Sequence, residues 1–418
     1  MKYAIVGSTA CMVCFALLVG CQTTSTGGAY SGSPGQDWVQ RGNNLDLSES
    51  LSYYIEQAES GDPYSQNRLA WLYEKGIKAP RDLEEAFEWY LKSAQQGFAN
   101  SQNSVGLFYY RGTGVDRDYA EALKWFKAAA DQGNLEAQDN YAAMYRHGHG
   151  VERDYSVALE WYLKAANRGF ARAQKNVGVF YYFGYGVAVD YQKAMFWYQK
   201  AAAQDQVTAI NNIGILFDNG EGVARDPVVA VKWFRRAAEL GYTLAQRNLA
   251  LQYHYGDGVK QDYAEARKWY LKADRQGSGA ASNSLGLLYE NGYGVEKDLT
   301  MASKYYNRGA VRGNMIAQAN MGFMYEKGRG VPQNYEAAFG MYQLSAKQGY
   351  ARGQNNLAYL YEKGLGTLQS YLLAGEWYRK AADQGYTYSQ RNLARFYKNG
   401  LGVEQDITEC RFAVKMHQ

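Results

Sequence analysis

Residues 97–132 read GFANSQNSVGLFYYRGTGVDRDYAEALKWFKAAADQ, and this stretch decides the fold. From Ala99 to Tyr110, Val105, Phe108 and Tyr109 recur at helical spacing. Gly112 and Gly114 end that helix, because glycine accepts the left-handed conformation beyond a helix terminus. Asp118 then caps a second helix, and Glu121 three residues on predicts a capping box. This second helix carries Ala122, Trp125, Phe126 and Ala129, an apolar stripe that has to be covered.

The same unit recurs along the chain with a period of 36 residues and no insertion: Gly61, Gly97, Gly133, Gly169, Asp205, Gly241, Gly277, Gly313, Gly349 and Gly385 keep one register. Asp82 with Glu85, Asp262 with Glu265 and Asp406 with Glu409 repeat the capping device, and Asp226 is followed by Pro227, which is favoured at the first helical position. A unit of this kind buries its stripe only against its neighbours, so the sequence predicts an all-α solenoid over 61–418, in nine full repeats and a truncated tenth. Within 44–60, Leu47 to Ser60 predicts a helix with Leu51, Tyr54, Ile55 and Ala58 on one face, capping the first repeat.

One mid-helix column reads Ala70, Gly106, Ala142, Gly178, Gly214, Ala250, Gly286, Gly322, Ala358, Ala394. Glycine inside a helix is disfavoured by about 1 kcal/mol relative to alanine. Its presence predicts a close approach, by the large ring at the Trp position of a neighbouring helix. That Trp column runs Trp89, Trp125, Trp161, Trp197, Trp233, Trp269, Tyr305, Met341, Trp377, so packing is expected to be least regular in the seventh and eighth repeats. The first repeat has Lys78 in place of the second glycine, and end repeats of a solenoid are expected to be atypical.

Composition fits a packed body: 47% of residues are hydrophobic and 21% charged, which excludes disorder for the bulk of the chain. A formal charge of +4 gives no basic footprint for nucleic acid. Residues 1–20 differ in character. Lys2 precedes an apolar run from Ala4 to Val19, and Leu18-Val19-Gly20-Cys21 resembles a bacterial lipoprotein signal. That resemblance implies cleavage before Cys21, lipidation of Cys21 and, with Gln22 following, an outer-membrane address with the solenoid facing the periplasm. Several acyl chains anchor stably where one does not. Residues 21–43, rich in Thr, Ser, Gly and Pro, are expected to be a flexible tether. Cys11 and Cys14 leave with the signal and Cys410 falls at a repeat position otherwise filled by alanine, so no internal disulfide is expected.

Signals of chemistry are weak. The Gly-x-Gly pairs follow helices, unlike phosphate loops, which follow strands. His147 and His149 lack further ligands at metal-binding spacing. No catalytic constellation can be assigned, and no enzyme activity, metal or cofactor is expected.

The pattern A-x-x-N-L-G-x-x-Y-x-x-G-x-G-V-x-x-D-Y-x-x-A-x-x-W-Y-x-K-A-A-x-Q-G resembles the Sel-one-like repeat family, a relative of the tetratricopeptide repeat, from Gly61 to about Met416. The resemblance implies right-handed superhelical stacking of antiparallel helix pairs and a role as an adaptor or scaffold for other proteins; with the lipoprotein signal, the expected function is an envelope scaffold, similar in plan to the helical-repeat lipoprotein of alginate secretion systems. It also brings an enzymatic alternative, since disulfide-rich family members are credited with β-lactam binding or hydrolysis. Those members pair cysteines within each repeat, and this chain has no such pairs.

Mapping the tetratricopeptide groove onto this register places two variable columns on the inner surface: Glu74, Tyr110, Arg146, Tyr182, Asp218, His254, Glu290, Glu326, Glu362, Lys398, and beside it Lys75, Arg111, His147, Phe183, Asn219, Tyr255, Asn291, Lys327, Lys363, Asn399. Aromatic and basic residues gather in repeats two to six. Such residues are enriched where proteins meet, so Tyr110, Arg111, Arg146, Tyr182, Phe183, His254 and Tyr255 are the candidate partner-binding residues. The expected partners are envelope proteins or peptides, with peptidoglycan or exopolysaccharide as the second ligand class. The opposing expectation is that these rings only pack between repeats.

Overall fold

The computed structural model describes residues 50–402 and 404–405. Among them are twenty α-helices: α1 (Leu51–Glu59), α2 (Pro63–Lys75), α3 (Leu83–Gln95), α4 (Ala99–Arg111), α5 (Tyr119–Asp131), α6 (Leu135–His147), α7 (Tyr155–Asn167), α8 (Ala171–Phe183), α9 (Tyr191–Ala202), α10 (Val207–Asn219), α11 (Pro227–Glu239), α12 (Thr243–Tyr255), α13 (Tyr263–Arg275), α14 (Gly279–Asn291), α15 (Leu299–Val311), α16 (Met315–Lys327), α17 (Tyr335–Lys347), α18 (Ala351–Lys363), α19 (Tyr371–Ala382) and α20 (Thr387–Asn399). Each helix packs on the next in the chain, giving a solenoid of helix pairs with a 36-residue period. The first helices of successive units also touch, α8 with α10, α14 with α16 and α16 with α18, while no two successive second helices approach as closely. The first helices therefore line the inner side of the array. Cys21 with its signal, the tether and Cys410 lie outside the described residues.

The corner between the paired helices is closed by backbone. The N-cap Asp118 accepts from the amides of Ala120 and Glu121, as its sequence position predicts. The reciprocal half of the capping box is not made. The Asp118 amide donates instead to the Tyr109 carbonyl at 3.0 Å, and Asp82, Asp262 and their counterparts repeat this bond to the preceding first helix. Glu121 is left to pair with Lys124, Glu265 with Lys268, and Glu85 accepts from the Trp89 indole.

Two glycine columns have distinct causes. A Cβ on Gly106 would lie 2.7 Å from the Phe126 ring, and Gly178, Gly214, Gly286 and Gly322 meet Tyr198, Phe234, Tyr306 and Tyr342 likewise. The ring is thus the residue after the Trp, in the same unit, which corrects the sequence expectation. The Trp ring takes another place: at five of the positions a lysine one turn on lies over its face, as Lys164 sits 3.6 Å above Trp161. The second glycine of each corner has another cause. A Cβ on Gly114 would fall 2.1 Å from the Leu83 carbonyl oxygen of the preceding second helix. Lys78 occupies this position in the first repeat at φ 65°.

α1 covers the open end in register with the repeats. Its buried Tyr54 and Ala58 correspond to Tyr90 and Ala94 of α3 one period on, so α1 behaves as a second helix, with no first helix before it among the described residues. Gln66 joins it to α2 by donating to the Ala58 carbonyl at 3.1 Å.

That glutamine bond recurs. Gln102, Gln138, Gln174, Gln246, Gln318, Gln354 and Gln390 each donate to an alanine carbonyl at the end of the preceding second helix. Except at Gln138 and Gln390, their own carbonyl oxygens accept from a second glutamine in the same unit, as from Gln132 to Gln102 at 2.7 Å. In the seventh unit this relay becomes ionic: Asp274 (2% exposed) holds Ser282 at 2.6 Å, Arg308 at 2.7 Å and Arg312 at 2.6 Å.

Two outcomes follow. Gly106→Leu forces the Phe126 ring aside and lowers the unfolding free energy by about 1–3 kcal/mol in urea titrations. Asp274→Asn takes the carboxylate charge away from Arg308 and Arg312 and lowers stability by about 3 kcal/mol. Burial alone would raise the Asp274 carboxyl, but the hydrogen bonds from Ser282, Arg308 and Arg312 outweigh it and hold it below its ordinary 3.8. A carboxyl depressed on folding stabilises above its unfolded pKa, so this contribution is full at neutral pH and vanishes as the pH falls below 3.8. Acid titrations of stability comparing wild type with Asp274→Asn converge there.

Candidate functional site

The inner surface is built from the part of each first helix turned away from its partner. On α12 this is Leu244, Arg247, Leu251 and Tyr255, spaced three and four residues apart and each only partly buried or exposed. Bonds cross it from one first helix to the next: Asn140 donates to Asn103 at 2.8 Å, Asn176 to Asp139 at 2.8 Å, Asn248 to Asn211 at 3.0 Å and Asn320 to Asn283 at 2.8 Å. The Asn of the repeat pattern is this rung.

The seven candidate residues divide by exposure. Arg111 and Tyr255 are exposed, Tyr255 by 60%. Tyr110, Arg146, Tyr182, Phe183 and His254 are half-buried; all but Phe183, whose ring packs on Tyr182 and Tyr185 of its own repeat, engage a neighbouring repeat. The Tyr110 hydroxyl lies 3.2 Å from Nδ1 of His149. Arg146 sits 5.9 Å from the ring centres of Phe180 and Tyr185. Tyr182 donates to Glu221 at 2.7 Å, and burial followed by that bond raises its pKa, keeping the hydroxyl protonated. His254 packs edge-on to Tyr263 and Tyr293.

These contacts share a partner that the sequence reading missed. His149, Tyr185, Glu221 and Tyr293 are the central residues of four Gly-x-Gly corners, and each of these corners touches the groove column of the preceding repeat. Arg329 does the same for Glu290 at 3.1 Å. His149, Tyr185 and Tyr293 also stack on Tyr119, Tyr155 and Tyr263, which open the preceding second helices, at 4.7, 5.0 and 5.0 Å between centroids. The signal was present in the sequence as a complementary pairing 39 residues apart, tyrosine with histidine, arginine with tyrosine, glutamate with arginine. The seven residues therefore form two groups, Tyr110 to Phe183 over α4–α8 and His254 with Tyr255 on α12.

His147 and His149 stack at 5.4 Å, but among the described residues no group of three His, Cys, Asp or Glu is placed to hold a metal ion. No helix among them is long and apolar enough to cross a membrane.

Ten consecutive segments match the family model described as Sel1 repeat: residues 63–98, 99–134, 135–170, 171–206, 207–242, 243–278, 279–314, 316–350, 351–386 and 387–412. The chain is similar to the crystal structure of c5321, described as a protective antigen present in uropathogenic Escherichia coli strains displaying an SLR fold, with 32% identity, 88% of this chain and 86% of that chain covered, and a TM-score of 0.61. A Sel1 repeat protein from Oxalobacter formigenes is 32% identical over 59% of this chain and 96% of its own, with a TM-score of 0.52. No curated protein matches the chain.

Tyr182→Phe removes the hydroxyl that holds Glu221. It lowers stability by about 1 kcal/mol and leaves far-ultraviolet circular dichroism unchanged, since Glu221 is open enough to be hydrated.

Proposed function

The chain belongs to the Sel1 repeat family, and we propose that it is a cell-envelope scaffold that holds partner proteins or peptides along the inner surface of its helical array. The observation that carries this reading is the mixture of side chains left open on that surface. The rungs and corners use up most polar groups between repeats, yet Arg111 and Tyr255 project from the ends of first helices without filling such a role. Exposed arginine and tyrosine concentrate binding energy in interfaces. A repeat array works by offering an extended surface of this kind.

The address is part of the proposal. Leu18-Val19-Gly20-Cys21 supports lipidation at Cys21 and anchoring in the outer membrane, with the Thr-, Ser- and Gly-rich residues 22–43 spacing the array into the periplasm. Cys21→Ser abolishes incorporation of radiolabelled palmitate and releases the protein from the membrane fraction; palmitate retained in the variant removes this part of the reading.

A photo-crosslinking residue at position 111 or 255, used in intact cells with mass spectrometry, identifies what the surface holds. Arg111→Ala combined with Tyr255→Ala reduces capture from a neighbouring crosslinking position at least ~10-fold, the loss of two anchors of about 1 kcal/mol or more each, while the melting midpoint is unchanged. Undiminished capture rejects the inner surface as the docking face. A polysaccharide is favoured by one observation, the exposed first-helix rings of Tyr255, Tyr359 and Tyr388 at 60%, 37% and 63%, which suit stacking on sugars. Co-sedimentation with purified peptidoglycan separates the two ligand classes.

A further inference from the structure

Four units close their paired helices with one device. Tyr90 donates its hydroxyl to Glu74 at 3.0 Å, Tyr306 to Glu290 at 2.5 Å, Tyr342 to Glu326 at 2.7 Å and Tyr378 to Glu362 at 3.1 Å. The carboxylate always comes from the end of the first helix, and arginines join it: Arg329 to Glu290 at 3.1 Å and Arg395 to Glu362 at 2.6 Å. Tyrosine, carboxylate and guanidinium satisfy one another.

The sixth unit has the tyrosine without the acid, and an arginine of its own at another position. His254 stands where the glutamates stand, Tyr270 is fully buried, and Arg247 lies two turns before His254 on the same face of α12. The Arg247 Nε and the His254 Nδ1 are sealed from solvent without a hydrogen-bond partner, and the Tyr270 hydroxyl, sealed beside them, has only the Ser284 hydroxyl near it. Among the described residues no hydrogen bond or ion pair reaches Arg247, and the groups that act on it electrostatically are Tyr270 and Tyr255. Burial lowers the pKa of Arg247 and, separately, that of His254. The asparagine rung is interrupted here too. Arg247 occupies the rung position filled by Asn211 and Asn283, and its counterpart Ser284 turns its hydroxyl to the Ala280 carbonyl of its own helix. The His254 ring is 6.3 Å from that of Tyr270 and 4.7 Å from that of Tyr255, so the unsatisfied groups converge on one place. Buried polar groups without partners are rare in folded proteins because each forfeits its hydration.

We propose that the inner face of the sixth unit is a carboxylate-binding site, completed by an acidic side chain or terminal carboxylate of a bound polypeptide. The incoming group takes the position that Glu290, Glu326 and Glu362 hold in the three following units. Arg247 supplies the charge, Tyr270 and His254 donate hydrogen bonds, and Tyr255 covers the site from the solvent side. This deepens the scaffold reading and rests on it.

The test uses the intact chain purified in detergent and two capped tripeptides, Gly-Glu-Gly and neutral Gly-Gln-Gly, followed by saturation-transfer NMR. The acidic peptide gives at least ~5-fold the saturation of the neutral one, a difference near 1 kcal/mol. Arg247→Gln abolishes that difference. His254→Glu, which installs the acid internally, also abolishes it and raises the melting midpoint by about 2 °C or more. Equal saturation by both peptides, a retained preference in Arg247→Gln, or a lowered midpoint in His254→Glu overturns the site. Crosslinking from position 111 is run in parallel. Partner capture without peptide preference rejects this site alone, whereas peptide preference without any captured partner rejects the scaffold reading and leaves the site standing.

Discussion

The array depends on one side-chain amide doing two jobs. The last carbonyls of any helix lack partners within it, and in a stacked solenoid they are carried to the face on which the next unit sits. The glutamine near the start of each first helix meets them: Gln318 donates to the Ala310 carbonyl at 3.2 Å and accepts from Gln348 at 2.7 Å. It therefore links three helices, the second helix of one unit and both helices of the next. A shift of one residue between units would strand both the amide and the carbonyl, so the bond fixes register as well as contact. That is a physical reason for a period kept at 36 residues from Gly61 to Gly385 with no insertion.

Departures from the relay come in compensated pairs. In the fifth unit Ile210, fully buried, replaces the glutamine and Leu240 replaces its partner, so polar groups are withdrawn on both sides. In the seventh, Ser282 and Arg312 stand at the two glutamine positions and Asp274 replaces the alanine whose carbonyl would have accepted. Replacing both members of a buried polar pair is nearly neutral where replacing one is not. The third unit shows the one-sided case: Arg168 takes the partner position, bonds the Gly133 carbonyl, and leaves Oε1 of Gln138 buried without a donor. Against this pattern of local compensation, the sixth unit is distinctive because its unsatisfied groups cluster on the inner surface.

The same economy shapes the candidate binding surface. Groove residues and corner residues are coupled across 39 positions, so a ring such as Tyr182 serves the stack through Glu221 whatever else it touches. Residues free of that duty, Arg111 and Tyr255 above all, are where the surface can vary without loosening the array. In a solenoid, where each unit leans only on its neighbours, such variation stays local.

The sequence by itself determined the helices, their order and their period, because these follow from local causes: apolar residues at helical spacing around Phe108 and Phe126, Asp118 at a cap, Gly112 at a terminus with φ 68°. It also separated the terminal residues from the repeating body by composition. What only the tertiary structure decided were relations between units. The ring that presses on Gly106 is Phe126 and not Trp125, a difference of one residue that turns a side chain by about 100° on a helix. The capping box lost its second half to a bond from Asp118 to Tyr109 on the other side of the corner. The groove columns were legible as columns, but which members are used by neighbouring repeats and which face solvent was not. Burial and hydrogen-bond satisfaction depend on what the next unit brings, and that is a property of the stack.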